Sequence, residues 1–88
     1  MTFSDRAAEL TMYTTSWCGY CVRLKSQLKR AGIGFREVNI EHEPRAAEIV
    51  ERVNDGNQTV PTLVFSDGSA LTNPSVVQVS RRLDELAA

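Results

Sequence analysis

Trp17-Cys18-Gly19-Tyr20-Cys21 sets two cysteines three positions apart at the point where a helical pattern begins. The chain has two cysteines in 88 residues, so both belong to this stretch. We expect a cytoplasmic protein, since the opening residues Met1–Arg6 carry an early acid and lead into no long apolar region, unlike a secretory signal. In that reducing compartment, a Cys-x-x-Cys pair indicates catalysis or metal binding rather than a permanent structural disulfide.

The residues on either side of the cysteines predict a strand before them and a helix after them. Leu10 and Met12 alternate with polar neighbours, which predicts a strand over Glu9–Thr14. From Gly19 onward, apolar residues recur at helical spacing with basic residues between them, and Gly32 is suited to end this amphipathic helix. The apolar positions of the helix are Cys21, Leu24, Leu28 and Ala31.

The next part of the chain predicts a second strand and a second helix. Phe35–Ile40 has the apolar content of a strand. Pro44 suits a first helical position, and the pattern after it is helical until Asp55-Gly56-Asn57 interrupts it. The apolar face of this second helix consists of Ala46, Ile49, Val50 and Val53.

A hairpin and a third helix complete the predicted order, which is β-α-β-α-β-β-α. Val60–Phe65 and Ser69–Thr72 predict two strands joined by a tight turn at Asp67-Gly68. Asn73 is placed to cap the last helix, with Pro74 at the first helical position. The buried stripe of this helix is predicted at Val76, Val79, Leu83 and Leu86.

Length and charge narrow the possible classes of function. With 88 residues, 42% of them hydrophobic, the chain has room for one compact domain over residues 1–88. Ten basic residues against eleven acidic ones leave no positive excess for nucleic acid or an anionic membrane. No apolar run approaches the roughly 20 residues of a membrane-spanning helix. We therefore expect partners that include neither nucleic acid nor a membrane. We also expect a monomer.

The predicted helix start gives the two cysteines different chemistry. Free backbone N–H groups and the positive end of the helix dipole stabilise a thiolate at Cys18, which lowers the pKa of that thiol from its ordinary value of about 8.5. Cys21 lies about one turn further along, on the apolar face, so we expect it to be less exposed. Cys18 is therefore the predicted attacking sulfur, and Cys21 is the predicted resolving or reserve thiol.

A Cys-x-x-Cys pair by itself has three possible interpretations, which are redox catalysis, metal binding and chance. A structural zinc site needs four Cys or His ligands, and beyond the two cysteines the sequence offers only His42. One copy of the chain cannot build a closed site from these residues, so we expect no metal. The strand before the pair and the helix after it supply the βαβ setting that favours redox catalysis.

Over nearly its full length the sequence resembles the glutaredoxin branch of the thioredoxin fold, with a strand, Cys-x-x-Tyr-Cys, a helix, and then Thr59-Val60-Pro61 before a hairpin. The resemblance implies a four-stranded mixed sheet flanked by helices. It also implies that the bond before Pro61 is cis, that Pro61 faces the active cysteine, and that Thr59, Val60 and Pro61 line the site. The alternative is that Pro61 is merely an edge-strand proline.

The finer pattern resembles the mycoredoxins, which are glutaredoxin-like proteins that use the sugar-linked thiol mycothiol. The Lys before the cysteines and the Gly-Gly-x-x-Asp run, which hold the carboxylates of glutathione in glutathione-using members, are both missing from this sequence. Neutral Thr72 and Asn73 are compatible with a hydroxyl-rich ligand instead. The stretches that carry the resemblance are Thr14–Cys21, Val53–Asn57, Thr59–Thr62, Asp67-Gly68 and Thr72–Pro74.

The activity implied by this resemblance is reduction of mixed disulfides between mycothiol and proteins, with Cys18 as the one strictly required cysteine. Mycothiol is then the thiol cofactor, with electrons ultimately from NADPH through a separate reductase, and no bound prosthetic group is expected. Trp17 and Tyr20 are candidates for an apolar rim that contacts the thiol or the substrate, and core packing is the alternative for Trp17.

Two rival functions stay open at this point. One is a dithiol redoxin reduced directly by a thioredoxin-type reductase, for which Cys21 is indispensable and mycothiol irrelevant. The other is a protein that binds a metal or an iron–sulfur cluster, shared between two chains, through Cys18.

Overall fold

The computed structural model describes residues 10–87, so Glu9 and the opening segment Met1–Arg6 lie outside the described residues. The described part has the predicted order β-α-β-α-β-β-α. Its strands are β1 (Leu10–Thr14), β2 (Arg36–Asn39), β3 (Thr62–Phe65) and β4 (Ala70–Thr72). Its helices are α1 (Gly19–Arg30), α2 (Pro44–Val53) and α3 (Val76–Ala87).

The four strands form one mixed sheet in the order β2-β1-β3-β4. β1 runs parallel to β2 and antiparallel to β3, and β3 runs antiparallel to β4. The expectation of a four-stranded mixed sheet flanked by helices is confirmed. Because β1 and β2 are parallel, their carboxyl ends lie at the same edge of the sheet, and the loop that carries the cysteines leaves from that edge.

Alternation along β1 separates the core into two clusters on opposite faces of the sheet. Leu10 and Met12 belong to the larger cluster, and Tyr13 belongs to the smaller one. In the neighbouring strand, Phe65 and Leu63 pair with Leu10 and Met12 and lie in the same larger cluster. Helix residues of the larger cluster come from α1 and α3 (Cys21, Leu24, Leu28, Val79 and Leu83), and those of the smaller cluster come from α2 (Ala46 and Val50).

The carboxyl end of α1 matches the predicted glycine cap. Gly32 has a φ of 76°, its N–H donates to the carbonyl of Lys29 at 3.1 Å, and the N–H of Ile33 donates to the carbonyl of Leu28 at 2.9 Å. This pair of bonds satisfies carbonyls that the helix leaves free, and it needs a residue that tolerates the left-handed conformation. Ala31, predicted on the apolar stripe, instead follows the end of α1 and is exposed.

The start of α3 corrects the sequence prediction. The helix begins at Val76 rather than Pro74, and Ser75 caps it: Ser75 Oγ accepts from the N–H of Gln78 at 3.1 Å, while Gln78 Oε1 accepts from the N–H of Ser75 at 2.8 Å. Asn73 is not the cap. It has a φ of 47°, and its N–H donates to the carbonyl of Pro61 at 2.8 Å.

Three strand boundaries also differ from the predicted ones. β2 is shorter than Phe35–Ile40, although the N–H of Ile40 still donates to the carbonyl of Thr14 at 2.9 Å. β3 begins at Thr62 rather than Val60, because Pro61 has no N–H to give to the sheet. β4 begins at Ala70 rather than Ser69. Among the helices of residues 10–87, none is both long and apolar enough to span a membrane.

Candidate active site

Cys18 occupies the N-cap position of α1, and its sulfur replaces the side-chain oxygen usually found there. Its backbone is extended, with φ −91° and ψ 105°, and Cys18 Sγ accepts a hydrogen bond from the N–H of Cys21 at 3.0 Å. A disulfide joins Cys18 to Cys21, whose Cα atoms are 5.2 Å apart. The first turn of α1 therefore aims a free N–H group at the sulfur, as a stabilised thiolate requires.

The two cysteines differ in exposure in the predicted direction, and both are buried. Cys21 is 1% exposed and Cys18 is 6% exposed. Both side chains belong to the larger core cluster. Little of the Cys18 side chain is therefore accessible, so its neighbours determine what can approach its sulfur.

Two exposed aromatic side chains flank Cys18 in the sequence. Trp17 is 74% exposed and Tyr20 is 64% exposed. Of the two alternatives for Trp17, the structure places its ring at the surface and not in the core. Exposed aromatic rings this close to Cys18 in the sequence offer apolar contact area to a ligand.

Sequence reasoning missed Glu41, which lies just after β2 and contacts the loop before Cys18. Glu41 Oε1 accepts from the backbone N–H of Ser16 at 2.8 Å, and Glu41 Oε2 accepts from Trp17 Nε1 at 3.1 Å. Asn39 completes the contact: its Nδ2 donates to Ser16 Oγ at 3.0 Å and its Oδ1 accepts from the N–H of Glu41 at 2.8 Å. We call Ser16, Trp17, Asn39 and Glu41 the Glu41 network.

Hydrogen bonding in this network favours the charged form of Glu41. The backbone N–H of Ser16 is the main cause that holds the pKa of the Glu41 carboxyl below its ordinary value, and the side chains of Ser16, Trp17 and Asn39 lower it further. A negative charge therefore lies beside Trp17, the residue that precedes Cys18. The signal in the sequence was an acidic residue following a strand parallel to β1, but such residues are common and the pairing depends on register.

The Pro61 segment has the backbone geometry that the resemblance implies. The Val60–Pro61 bond is cis, and Pro61 is fully buried. Val60 packs against both core clusters, including the larger one that contains Cys18. Asn73 is brought to this segment through its bond to the carbonyl of Pro61.

The remaining predicted residues meet in a second hydrogen-bond network around Asn54. Thr72 Oγ1 donates to Asn54 Oδ1 at 2.5 Å, and Asn54 Nδ2 donates to Thr62 Oγ1 at 3.0 Å and to the carbonyl of Val50 at 2.9 Å. Thr62 Oγ1 in turn donates to the carbonyl of Thr59 at 2.6 Å. Thr59 and Thr72 are thus joined by one chain of bonds, and the hydroxyl proton of Thr72 is committed to Asn54, which leaves its oxygen as an acceptor.

Metal-ligating side chains are sparse around this site. His42 is exposed, in the turn that follows β2. Within residues 10–87, no group of three or more His, Cys, Asp or Glu side chains is arranged to hold a metal ion.

Comparison with known proteins gives consistent matches. A family model for glutaredoxins matches residues 10–70. A Mycobacterium tuberculosis protein described as a glutaredoxin is 58% identical over 80 residues, which cover 91% of this chain and 95% of that protein. Mycoredoxin 1 of Corynebacterium glutamicum is 38% identical over 80 residues, which cover 91% of this chain and 99% of that protein. The solved structure of a glutaredoxin from Methanosarcina mazei Go1 superimposes with a TM-score of 0.74 at 26% identity, over 85% of this chain and 77% of that one.

Proposed function

This chain belongs to the glutaredoxin family of thiol–disulfide oxidoreductases, and we propose that it reduces mixed disulfides between mycothiol and proteins, with Cys18 as the attacking sulfur. The observation that carries the oxidoreductase chemistry is the bond from the N–H of Cys21 to Cys18 Sγ, which stabilises a thiolate at the start of α1. We place this activity in the cytoplasm, where the cysteines are kept reduced.

Similarity to mycoredoxin 1 and the side chains near Pro61 support mycothiol as the thiol. Thr72 and Asn73 stand where glutathione-using relatives carry the Gly-Gly-x-x-Asp run, and neither brings a charge. The oxygen of Thr72 is free to accept a hydrogen bond from a ligand hydroxyl, because its own proton goes to Asn54. Mycothiol lacks the two glutathione carboxylates and is rich in hydroxyl groups, so it suits such partners.

In the first proposed step, the Cys18 thiolate attacks the mycothiol sulfur of the protein–mycothiol disulfide. A new disulfide forms between Cys18 and mycothiol as the old one breaks. The substrate sulfur leaves with the bonding electron pair and takes a proton from water, so the substrate protein is released as a thiol.

In the second step, the thiolate of another mycothiol attacks the mycothiol sulfur held on Cys18. Mycothiol disulfide forms, and Cys18 leaves as a thiolate that the N–H of Cys21 stabilises. A separate NADPH-dependent reductase then returns mycothiol disulfide to two thiols. Cys21 takes no part in this cycle.

The disulfide between Cys18 and Cys21 favours a second candidate, a dithiol redoxin. In that cycle the Cys18 thiolate attacks a disulfide of the substrate protein, which forms a mixed disulfide with one substrate sulfur and releases the other as a thiolate. The Cys21 thiolate then attacks Cys18 Sγ, which forms the Cys18–Cys21 disulfide and releases the second substrate sulfur. A thioredoxin-type reductase would reduce the resulting Cys18–Cys21 disulfide directly. The two cycles differ in whether Cys21 is needed.

Single serine substitutions at the two cysteines separate these candidates. In the monothiol cycle, Cys18→Ser abolishes reduction of a mycothiol–peptide mixed disulfide, whereas Cys21→Ser keeps most of the activity because the Cys21 thiol takes no part in that cycle. The measurement is peptide thiol released per minute with mycothiol and its reductase present. Equal loss in both variants would reject the monothiol cycle in favour of the dithiol one.

The choice of thiol is tested with two matched substrates on the wild-type protein. One peptide is coupled to mycothiol and the same peptide to glutathione, and each assay contains the corresponding thiol and its NADPH-linked reductase. We expect a higher kcat/KM with the mycothiol system. A higher value with glutathione would overturn the assignment of mycothiol while leaving the role of Cys18 intact.

A further inference from the structure

We propose that Glu41 is a positioning residue that holds in one orientation the indole ring of Trp17, the residue directly before Cys18. The effect on turnover rests on the proposed function, in which Trp17 forms part of the rim that contacts the thiol or its substrate. The geometry of the Glu41 network is independent of which thiol is used.

Glu41 uses its two carboxylate oxygens for two different donors. Oε1 takes the backbone N–H of Ser16 at 2.8 Å, and Oε2 takes the indole Nε1–H of Trp17 at 3.1 Å. One donor belongs to the backbone of the loop, and the other belongs to the ring itself. The carboxylate therefore fixes the ring relative to the backbone that leads into Cys18.

Glu41 is itself held from the neighbouring strand. Its N–H donates to Asn39 Oδ1 at 2.8 Å, and the other end of the Asn39 amide donates to Ser16 Oγ at 3.0 Å. The N–H of Ile40 donates to the carbonyl of Thr14, so the strand ends are paired immediately before the network begins. These bonds therefore fix the orientation of Trp17 relative to the sheet.

Packing alone would leave the ring of Trp17 loosely held, because 74% of the residue is exposed. Its bond to an ionised carboxylate is charge-assisted and stronger than a bond between neutral groups. A ring already ordered before binding loses less side-chain entropy when a ligand contacts it. Loss of the bond should therefore weaken substrate binding more than it slows the sulfur exchange.

Glu41→Gln is a sharp test because glutamine has one acceptor oxygen where glutamate has two. Whichever donor keeps the oxygen, the other faces an NH₂ group, so one of the two bonds is lost. Glu43→Gln is the matched control. It removes the same charge two residues further on, at an exposed position whose side chain makes no capping bond to α2.

The direct measurement is the indole N–H signal in a two-dimensional ¹H–¹⁵N spectrum, which contains one such peak because Trp17 is the sole tryptophan. We expect Glu41→Gln to move this peak upfield and to increase its exchange with water, while Glu43→Gln leaves it at the wild-type position. Even an indole bond that survives in this variant goes to a neutral oxygen and is no longer charge-assisted, so an unmoved peak in Glu41→Gln overturns the proposal, whatever the activity. The thermal unfolding midpoint should change no more than it does in Glu43→Gln.

The kinetic measurement asks whether the orientation of the ring matters for the reaction. For Glu41→Gln we expect KM for the mixed-disulfide peptide to rise by about 2- to 10-fold, the cost of one hydrogen bond, with kcat nearly unchanged. Glu43→Gln should keep the wild-type KM. A moved indole peak with an unchanged KM overturns the positioning role.

Trp17→Phe keeps an aromatic ring and removes the N–H that Glu41 binds. In this background Glu41→Gln should raise KM by a smaller factor than in the wild-type background, because the contact it breaks is already absent. An equal factor in both backgrounds would show that Glu41 does not act through Trp17. If the wild type reduces only the glutathione-coupled peptide, the assignment of mycothiol fails, and the same KM ratios are then measured on that peptide.

Discussion

Cys18 links helix capping to reactivity in one side chain. N-cap residues are commonly Ser, Thr, Asp or Asn, whose oxygens accept from the first turn, and here Cys18 Sγ takes that place. A thiolate is a better acceptor than a neutral thiol, so the ionised form of Cys18, which is the proposed attacking group, also caps α1 best. The same bond from the N–H of Cys21 therefore serves stability and chemistry.

Glu37 is a titratable residue whose contacts join three elements of the fold. Glu37 Oε2 accepts from Lys25 Nζ at 3.0 Å and from Thr14 Oγ1 at 2.9 Å, so β2 is tied to α1 and to the end of β1. Burial raises the pKa of the Glu37 carboxyl, but the bonds from Lys25 and Thr14 and the charges of Lys25 and Lys29 outweigh burial and bring it below the ordinary value.

The depressed pKa of Glu37 predicts an acid-sensitive contribution to stability. Because the folded-state pKa lies below the ordinary value of 4.5, the contribution is present above pH 4.5 and is lost as the pH falls through the folded-state value. Its size is no more than about 1 kcal/mol, since the side chain is 38% exposed and screened by water.

The measurement is a double-mutant cycle of Lys25→Gln and Glu37→Gln, followed by urea unfolding at several pH values. We expect a favourable coupling free energy at pH 7 that shrinks below pH 4.5. A coupling that stays constant down to pH 3 would contradict the prediction.

Neighbouring residues in the sequence predict some helix ends well and others poorly. The carboxyl end of α1 depends on Gly32, which stands directly after the basic last turn. The start of α2 has Pro44 at its first position, as predicted. At α3 the predicted cap Asn73 and the observed cap Ser75 lie two residues apart, and the N–H of Asn73 bonds to the Pro61 segment instead.

Ser75→Ala should lower the free energy of unfolding by about 1 kcal/mol, because it removes the acceptor for the N–H of Gln78 at the start of α3. Ser26→Ala is the matched control, since Ser26 is exposed within α1, where alanine is the better helix former. Both are measured by urea unfolding under reducing conditions. A loss in Ser75→Ala no larger than that in Ser26→Ala would argue against the cap.

The whole molecule combines a thioredoxin-like sheet with helices on both faces. The loop that carries Cys18 joins β1 to α1. Cys18 and Cys21 lie in the larger cluster, and the segment at Val60 contacts both clusters. The side of the site formed by α1 and the side formed by the Pro61 segment are therefore held together by packing of apolar residues distant in sequence.

Leu28→Ala tests the larger cluster, in which Leu28 is fully buried. We expect a loss of about 2–5 kcal/mol in the free energy of unfolding, because the truncation leaves a cavity under α1. Val77→Ala, on the exposed face of α3 where the valine is 60% exposed, should change it by no more than about 0.5 kcal/mol. Similar losses at the two positions would contradict the assigned core.

Local signals in the sequence determined the order of the elements, and they also predict unequal roles for the two cysteines. Alternation at Leu10 and Met12, helical spacing after Gly19 and the cap at Gly32 are patterns between near neighbours, and near neighbours decide whether a segment forms a strand or a helix. The position of Cys18 at a helix start followed from the same patterns.

The pairs of distant side chains that meet at the candidate site depend on how the whole chain folds. Glu41 and Trp17 are 24 residues apart, and they meet because β1 and β2 pair in parallel with Thr14 opposite Asn39. Asn54 reaches Thr72 from 18 residues away. A hydrogen bond between two loops depends on the register of the strands that carry them. Composition and periodicity within one segment contain no information about that register, because it is set by how the whole sheet buries its two faces.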